Sequence, residues 1–221
     1  MAPRMIFEQE LEQLKEKMRE MGEYALMEFD RLYLAVKGND RETLEQLKGN
    51  DRRIVDMQRG LEARCLALMT KQQPVARDLR LVSAVLKAVT DLERIGDHVS
   101  DMAELFLRRT VPVGQAEGDD LLLLMLEEAR VMFREAAEAF SEGDGETARL
   151  VIDSDDTVDA LFNQIKEKMM EAIRSQSLDA DSVVDNLMLA KYLEKVGDHA
   201  VNIGEWTLFR VTGEIDGREI Y

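Results

Sequence analysis

The stretch VSAVLKAVTDLERIGDHVSDMAELF, residues 82–106, decides the fold. Its apolar side chains recur at Val82, Val85, Val89, Leu92, Ile95, Val99, Met102 and Phe106. Steps of three and four place them on one stripe of an α-helix and exclude the alternation of a half-buried strand. A stripe this long must be covered by other elements around a shared core. Comparable stripes run through every long segment of the chain, so the fold class is all-α.

Working outward, the breaks set the helix ends. Only Pro3, Pro74 and Pro112 punctuate the chain, so long helices can run between them. Gly38, Asn39 and Asp40 close the first helix, and Asn39 with Glu42 is a candidate cap for the second. Pro74 marks the start of the third, where its missing N–H costs nothing. Pro112 to Gly118 reads as a loop, Gly143 and Asp144 as a stop and a cap, and Ser177 to Asp181 as a further cap. The spacing predicts six long helices near 4–37, 40–72, 75–109, 119–142, 144–176 and 179–212.

The quoted stretch occurs twice. Leu92-Glu93-Arg94-Ile95-Gly96-Asp97-His98 aligns with Leu193-Glu194-Lys195-Val196-Gly197-Asp198-His199, an offset of 101 residues. Asp40, Glu42 and Asp51 align with Asp144, Glu146 and Asp155 at an offset of 104, so a three-residue difference near the second turn reconciles the two. A unit repeated in this way predicts two pseudo-symmetric three-helix bundles. The first spans 1–111 and the second 119–213, with a polar C-terminal tail over 214–221.

Composition narrows the functions. The 221 residues carry 45 Asp and Glu against 29 Lys and Arg, a formal charge of −16. Such a chain is repelled by nucleic acid and by anionic lipid, and attracts cations or basic protein surfaces. Cys65 is the single cysteine, which excludes an internal disulfide and a Cys-based zinc site. No segment from the N-terminus onward offers a signal-peptide core or a run of about 18 apolar residues, so no membrane insertion is expected and the localisation reads as cytoplasmic.

The repeated segment holds the chemistry. Glu93, Asp97, Asp101 and Glu104 share one helix face, and Glu194, Asp198, Asn202 and Glu205 occupy the matching places. Like charges at i, i+4 each cost a helix about 0.2–0.5 kcal/mol, which a cation among them would offset. Carboxylate oxygens suit hard or borderline cations such as Mg²⁺, Ca²⁺, Mn²⁺ or iron. The alternative is a solvated acidic face, since a third of the chain is charged. Arg94 and Lys195 stand beside the acids and could pair with carboxylates of a facing helix.

His98 and His199 are the two histidines and occupy equivalent positions, as expected of side chains bonded to a neighbouring helix. Gly96 and Gly197 sit mid-helix at a cost of about 1 kcal/mol relative to alanine, which points to a close approach at that level. The thirteen methionines suit an adaptable core. The apolar run Leu121 to Leu126 suits packing between the halves or against another subunit, and Trp206 packs near the end of the last helix. The sequence has no Gly-rich phosphate loop, nucleophile elbow or Glu-x-x-His pair, and no enzyme is expected.

Pro74-Val75-Ala76-Arg77-Asp78-Leu79-Arg80 followed by Asp91-Leu92-Glu93-Arg94-Ile95-Gly96-Asp97-His98 resembles the third helix of the PhoU family. Tyr192-Leu193-Glu194-Lys195-Val196-Gly197-Asp198-His199-Ala200-Val201-Asn202-Ile203 is similar to its counterpart in the second half. The resemblance covers nearly the whole chain. It implies paired three-helix bundles, usually as a homodimer, with metal cations at acidic motifs: iron clusters, Zn, Mn or Mg. The matching residues are Glu93, Asp97 and Asp101 in one half and Glu194, Asp198 and Asn202 in the other, with Asp51 and Asp155 completing each site. Asn202 is neutral where the first half has Asp101, so the two sites should differ, and Arg80 has no basic equivalent at Asp181. The implied function is negative regulation of phosphate uptake and of the phosphate-starvation response. The implied partners are the ATPase of a phosphate ABC transporter and its sensor histidine kinase. Two rivals remain beside it: a ferritin-like metal enzyme, disfavoured because Ile95 and Val196 stand where its Glu would be, and a metal-free adaptor.

Overall fold

The computed structural model describes residues 3–49, 52–215 and 218–219. Seven helices follow in chain order: α1 (Pro3–Gly38), α2 (Arg41–Leu47), α3 (Arg52–Gln72), α4 (Ala76–Arg108), α5 (Asp119–Glu142), α6 (Gly145–Ser175) and α7 (Ala180–Thr212). The expected architecture holds, with α1, α3 and α4 packed together in the first half and α5, α6 and α7 in the second. The expected helix over 40–72 is instead broken into α2 and α3. Lys48 turns extended at the end of α2, and Gly49 follows at φ +101°, a conformation open to glycine. Within the C-terminal segment read as a polar tail, β1 (Glu214–Ile215) pairs antiparallel with β2 (Arg218–Glu219).

The repeat is visible in the caps. Asp40 accepts the N–H groups of Glu42 and Thr43 and the Thr43 hydroxyl, and Asp144 accepts the same three donors from Glu146 and Thr147. The cap of α2 is therefore Asp40 and not Asn39, which lies one residue earlier at φ +51°. An aspartate at this place satisfies orphan N–H groups and sets a negative charge on the helix N-terminus.

The halves join along two antiparallel seams. In one, α1 meets α5: Gly22 faces Ala137, and the buried rings of Phe29 and Phe133 lie 6.3 Å apart. Asp30 pairs with Arg130 at 2.7 Å, and that guanidinium also covers the Tyr33 ring. In the other seam α4 meets α7, whose inward residues Val85, Val89, Ile95, Leu193, Val196 and Ile203 are buried. At about 1.5–3 kcal/mol per fully buried aliphatic side chain, this central layer holds the halves in fixed register. Of the Leu121–Leu126 run, Leu122 and Leu126 are buried while Leu124 stays 47% exposed.

The linker between the halves is locked. Asp119, 1% exposed, binds Arg109 at 2.6 Å and accepts N–H bonds from Gly114 and Ala116, while Arg109 also reaches Asn186 on α7 at 2.6 Å. Arg80 crosses from α4 to lie against Gly213, the C-cap of α7, so its asymmetric place is at a helix end of the opposite half.

Candidate functional site

The acidic ladders sit on α4 and α7 beside the central seam. Mid-helix glycines decide what the neighbouring helices can bring to them. A Cβ on Gly96 would stand 2.8 Å from Ile54 Cδ1 of α3. A Cβ on Gly197 would stand 3.4 Å from Val158 Cγ1 and 3.2 Å from Asp155 Oδ1, both on α6. Ile54 and Val158 are equivalent at the offset of 104, so the close approach expected from the glycines occurs in both halves. In the second half it also carries a carboxylate inward.

Asp155 is brought to the Glu194 and Asp198 face. Burial pushes its carboxyl up to about 6, and the charges of Asp159, Asp198, Asp156 and Glu194 push it the same way. The counter-charges are lysines: Lys191 and Lys195 bind Glu194, and Lys195 also binds Asp198. In the first half burial raises the Glu93 carboxyl, with Asp97 and Glu62 adding to it and Arg94 opposing. Arg94 lies 3.7 Å from Glu93 and 3.6 Å from Asp97. Arg94 and Lys195 thus pair within their own helices and not with a facing one. Asp51, expected to complete the first site, lies outside the described residues.

The third rung of each ladder behaves differently from the first two. Burial and the charge of Asp97 raise the Asp101 carboxyl, and the Tyr192 hydroxyl of α7 opposes them. Asn202 donates to Asp91 of α4 at 2.9 Å. Asp91, 8% exposed, also lies 2.9 Å from His199 Nδ1. The rings of His98 and His199 lie side by side with centroids 5.7 Å apart, and His98 is 5.3 Å from Tyr192. His199 is therefore bonded to a neighbouring helix as expected. His98 is not: its Nδ1 is buried without a partner, and burial followed by repulsion from His199 lowers it to about 4. Sequence reasoning missed Asp91 and Tyr192, although they too are equivalent at the offset of 101.

Among the described residues no three His, Cys, Asp or Glu side chains are gathered as a metal-holding group. The second-half donors are carboxylate oxygens, the type a hard cation takes. Asp155 Oδ1 occupies the space beside Gly197 that a Cβ would crowd, and its carboxyl, raised first by burial and then by Asp159, Asp198, Asp156 and Glu194, adds an oxygen to the face of Glu194 and Asp198. In the first half Glu93 and Asp97 supply the same oxygen chemistry.

The comparisons with known proteins agree with this architecture. A family profile described as "PhoU domain" matches residues 18–106 and 122–207, once in each half. The chain is 31% identical to a phosphate-specific transport system accessory protein PhoU homolog of Clostridium acetobutylicum, over 96% of each chain. It superposes on the crystal structure of the phosphate transport system regulatory protein PhoU of Streptococcus pneumoniae with a TM-score of 0.85. That match has 25% identity and covers 95% of this chain and 98% of the other. Against PhoU of Pseudomonas aeruginosa the TM-score is 0.82 at 29% identity, covering 94% and 100%.

Proposed function

Because the chain belongs to the PhoU family, we propose that it is a negative regulator of phosphate uptake and of the phosphate-starvation response. It acts in the cytoplasm, as a homodimer, by contact with the ATPase of a phosphate ABC transporter and with the associated sensor histidine kinase. The observation that carries this is the match to phosphate transport accessory and regulatory proteins over nearly the whole of both chains. The charge of −16 supports contact with basic patches of protein partners and disfavours nucleic acid. Among the described residues no helix is long and apolar enough to cross a membrane, consistent with a role beside a transporter and not within its pore.

The acidic faces are the proposed metal sites. In the second half Asp155, Glu194 and Asp198, with the amide oxygen of Asn202, would hold the cation. In the first, Glu93, Asp97 and Asp101 would do so. A bound cation supplies positive charge among carboxylates and open coordination positions for a phosphate or a partner's carboxylate. The chain's own part is to hold its carboxylates ionised and to release Lys191 and Lys195 from them. A metal-free adaptor is the second reading, favoured by the same lysines already occupying Glu194 and Asp198. Metal content after purification without chelator separates the two.

A phosphate-regulon reporter in excess phosphate tests the regulatory role. Deletion of the gene should derepress the reporter, and the wild-type gene should silence it again. The Asp97→Asn, Asp198→Asn variant should fail to do so while keeping its helicity. A deletion that leaves both reporter and phosphate uptake unchanged would falsify the proposal.

A further inference from the structure

The chain departs from its own repeat at Asn202, which stands where the first half has Asp101. The structure supplies a cause in the side chain that each of them meets across the seam. Asp101 stands on the side of Tyr192, whose hydroxyl a carboxylate suits as an acceptor. Asn202 meets Asp91, a buried carboxylate that can only accept. A second carboxylate at position 202 would set two like charges against each other where Asp91 is largely screened from water. An amide answers Asp91 with Nδ2 and keeps Oδ1 as the oxygen donor on its other side. The same Asp91 oxygen takes His199 Nδ1, which makes that nitrogen the protonated one. Asn202, Asp91, His199, His98 and Tyr192 thus form one line of side chains across the pseudo-two-fold.

We infer that Asp91 is a cross-half positioning residue: it sets the identity and orientation of Asn202, the third ladder residue of the opposite half, making the two cation faces unequal and tying the second-half face to the seam. The cation part of this inference rests on the metal sites proposed above, whereas the placement of the Asp91 brace does not. Positioning residues of this kind act through hydrogen bonds to a ligand and shift metal affinity by about 10–100-fold.

A charge swap tests it. Thermal unfolding without metal is compared for the wild type, Asp91→Asn, Asn202→Asp and the double variant, with Mn²⁺ titrated calorimetrically into the wild type and the double variant. Asn202→Asp sets carboxylate against carboxylate and should lower Tm by about 4–8 °C. The double variant restores an amide-to-carboxylate bond with its polarity reversed, and should return to within about 2 °C of the wild type. It also places a carboxylate on the second-half face, so Mn²⁺ should bind on the order of tenfold tighter. A double variant whose loss in Tm equals the two single losses combined overturns the brace. A rescued Tm with unchanged Mn²⁺ affinity overturns the link to the cation face. A wild type that takes up no Mn²⁺ overturns the metal sites themselves and the coupling with them, while the Tm cycle still decides the brace.

Discussion

The two halves were built from one unit, and they agree where the backbone is at stake. Asp40 and Asp144 cap their helices with the same donors, and Gly96 and Gly197 admit equivalent residues, Ile54 and Val158. They part company where charge is at stake. The second half draws Asp155 against Gly197 and neutralises its ladder with Lys191 and Lys195, while the first half uses Arg94 alone on Glu93 and Asp97. Across the seam, Asp91 answers Asn202 with a hydrogen bond, whereas the Tyr192 hydroxyl only influences the Asp101 carboxyl. Packing at this level is fixed by volume, which both copies had to keep. Polar partners are fixed by donor and acceptor pairing, which can change in one copy when its partner changes with it.

The largest effect on this comparison comes from uncoupling the halves. Asp119→Ala would strand the Arg109 guanidinium, 9% exposed, and free two loop N–H groups. Breaking a buried pair costs about 3–5 kcal/mol, so Tm should fall on the order of 10 °C in calorimetry. A loss under about 2 °C would mean that the linker does not lock the halves.

Next come the paired glycines, where one substitution should give two different readouts. Gly96→Ala forces Ile54 aside, and overpacking of about 1–3 kcal/mol outweighs a helix gain of about 1 kcal/mol, so stability falls. Gly197→Ala instead displaces the Asp155 carboxylate, so Mn²⁺ affinity should fall about tenfold with stability nearly kept. Equal behaviour of the two variants would remove the distinction drawn between the faces.

The halves should also titrate in opposite senses. Asp155 is raised from 3.8 to about 6, so within that window the folded protein holds a proton that the unfolded chain has lost. Its contribution makes stability fall as pH rises through the window, and Asp155→Asn or added Mn²⁺ should remove that contribution from a Tm–pH profile. His98 is lowered from 6.5 to about 4, so its contribution is present above 6.5 and lost as pH falls towards 4. His98→Phe keeps the ring beside Tyr192 and should remove that opposite contribution, and because the two windows overlap each variant should expose the slope of the other group. A profile that neither variant alters would show that these groups do not titrate as described.

Much of this was legible in the sequence because repetition and helical periodicity are local properties. The stripe from Val82 to Phe106, the offset of 101 and the mid-helix glycines together predict the bundles and their close approach. The break after Leu47 was written in Lys48-Gly49 as a turn signal, and the stripes on either side masked it. Asp91 and Tyr192 escaped because their role depends on which helix of the other half lies opposite, and helical spacing carries no such information. His98 and His199 looked alike for the same reason: only the seam shows that one has an aspartate partner and the other a tyrosine ring.

The measurement closest to the central claim is a Mn²⁺ titration of the wild type, Asp97→Asn and Asp198→Asn, with stoichiometry and affinity read together. Two unequal faces predict two classes of site in the wild type, differing by about tenfold or more. Each variant should remove a different class. Two identical classes, or a titration that neither substitution changes, would contradict it.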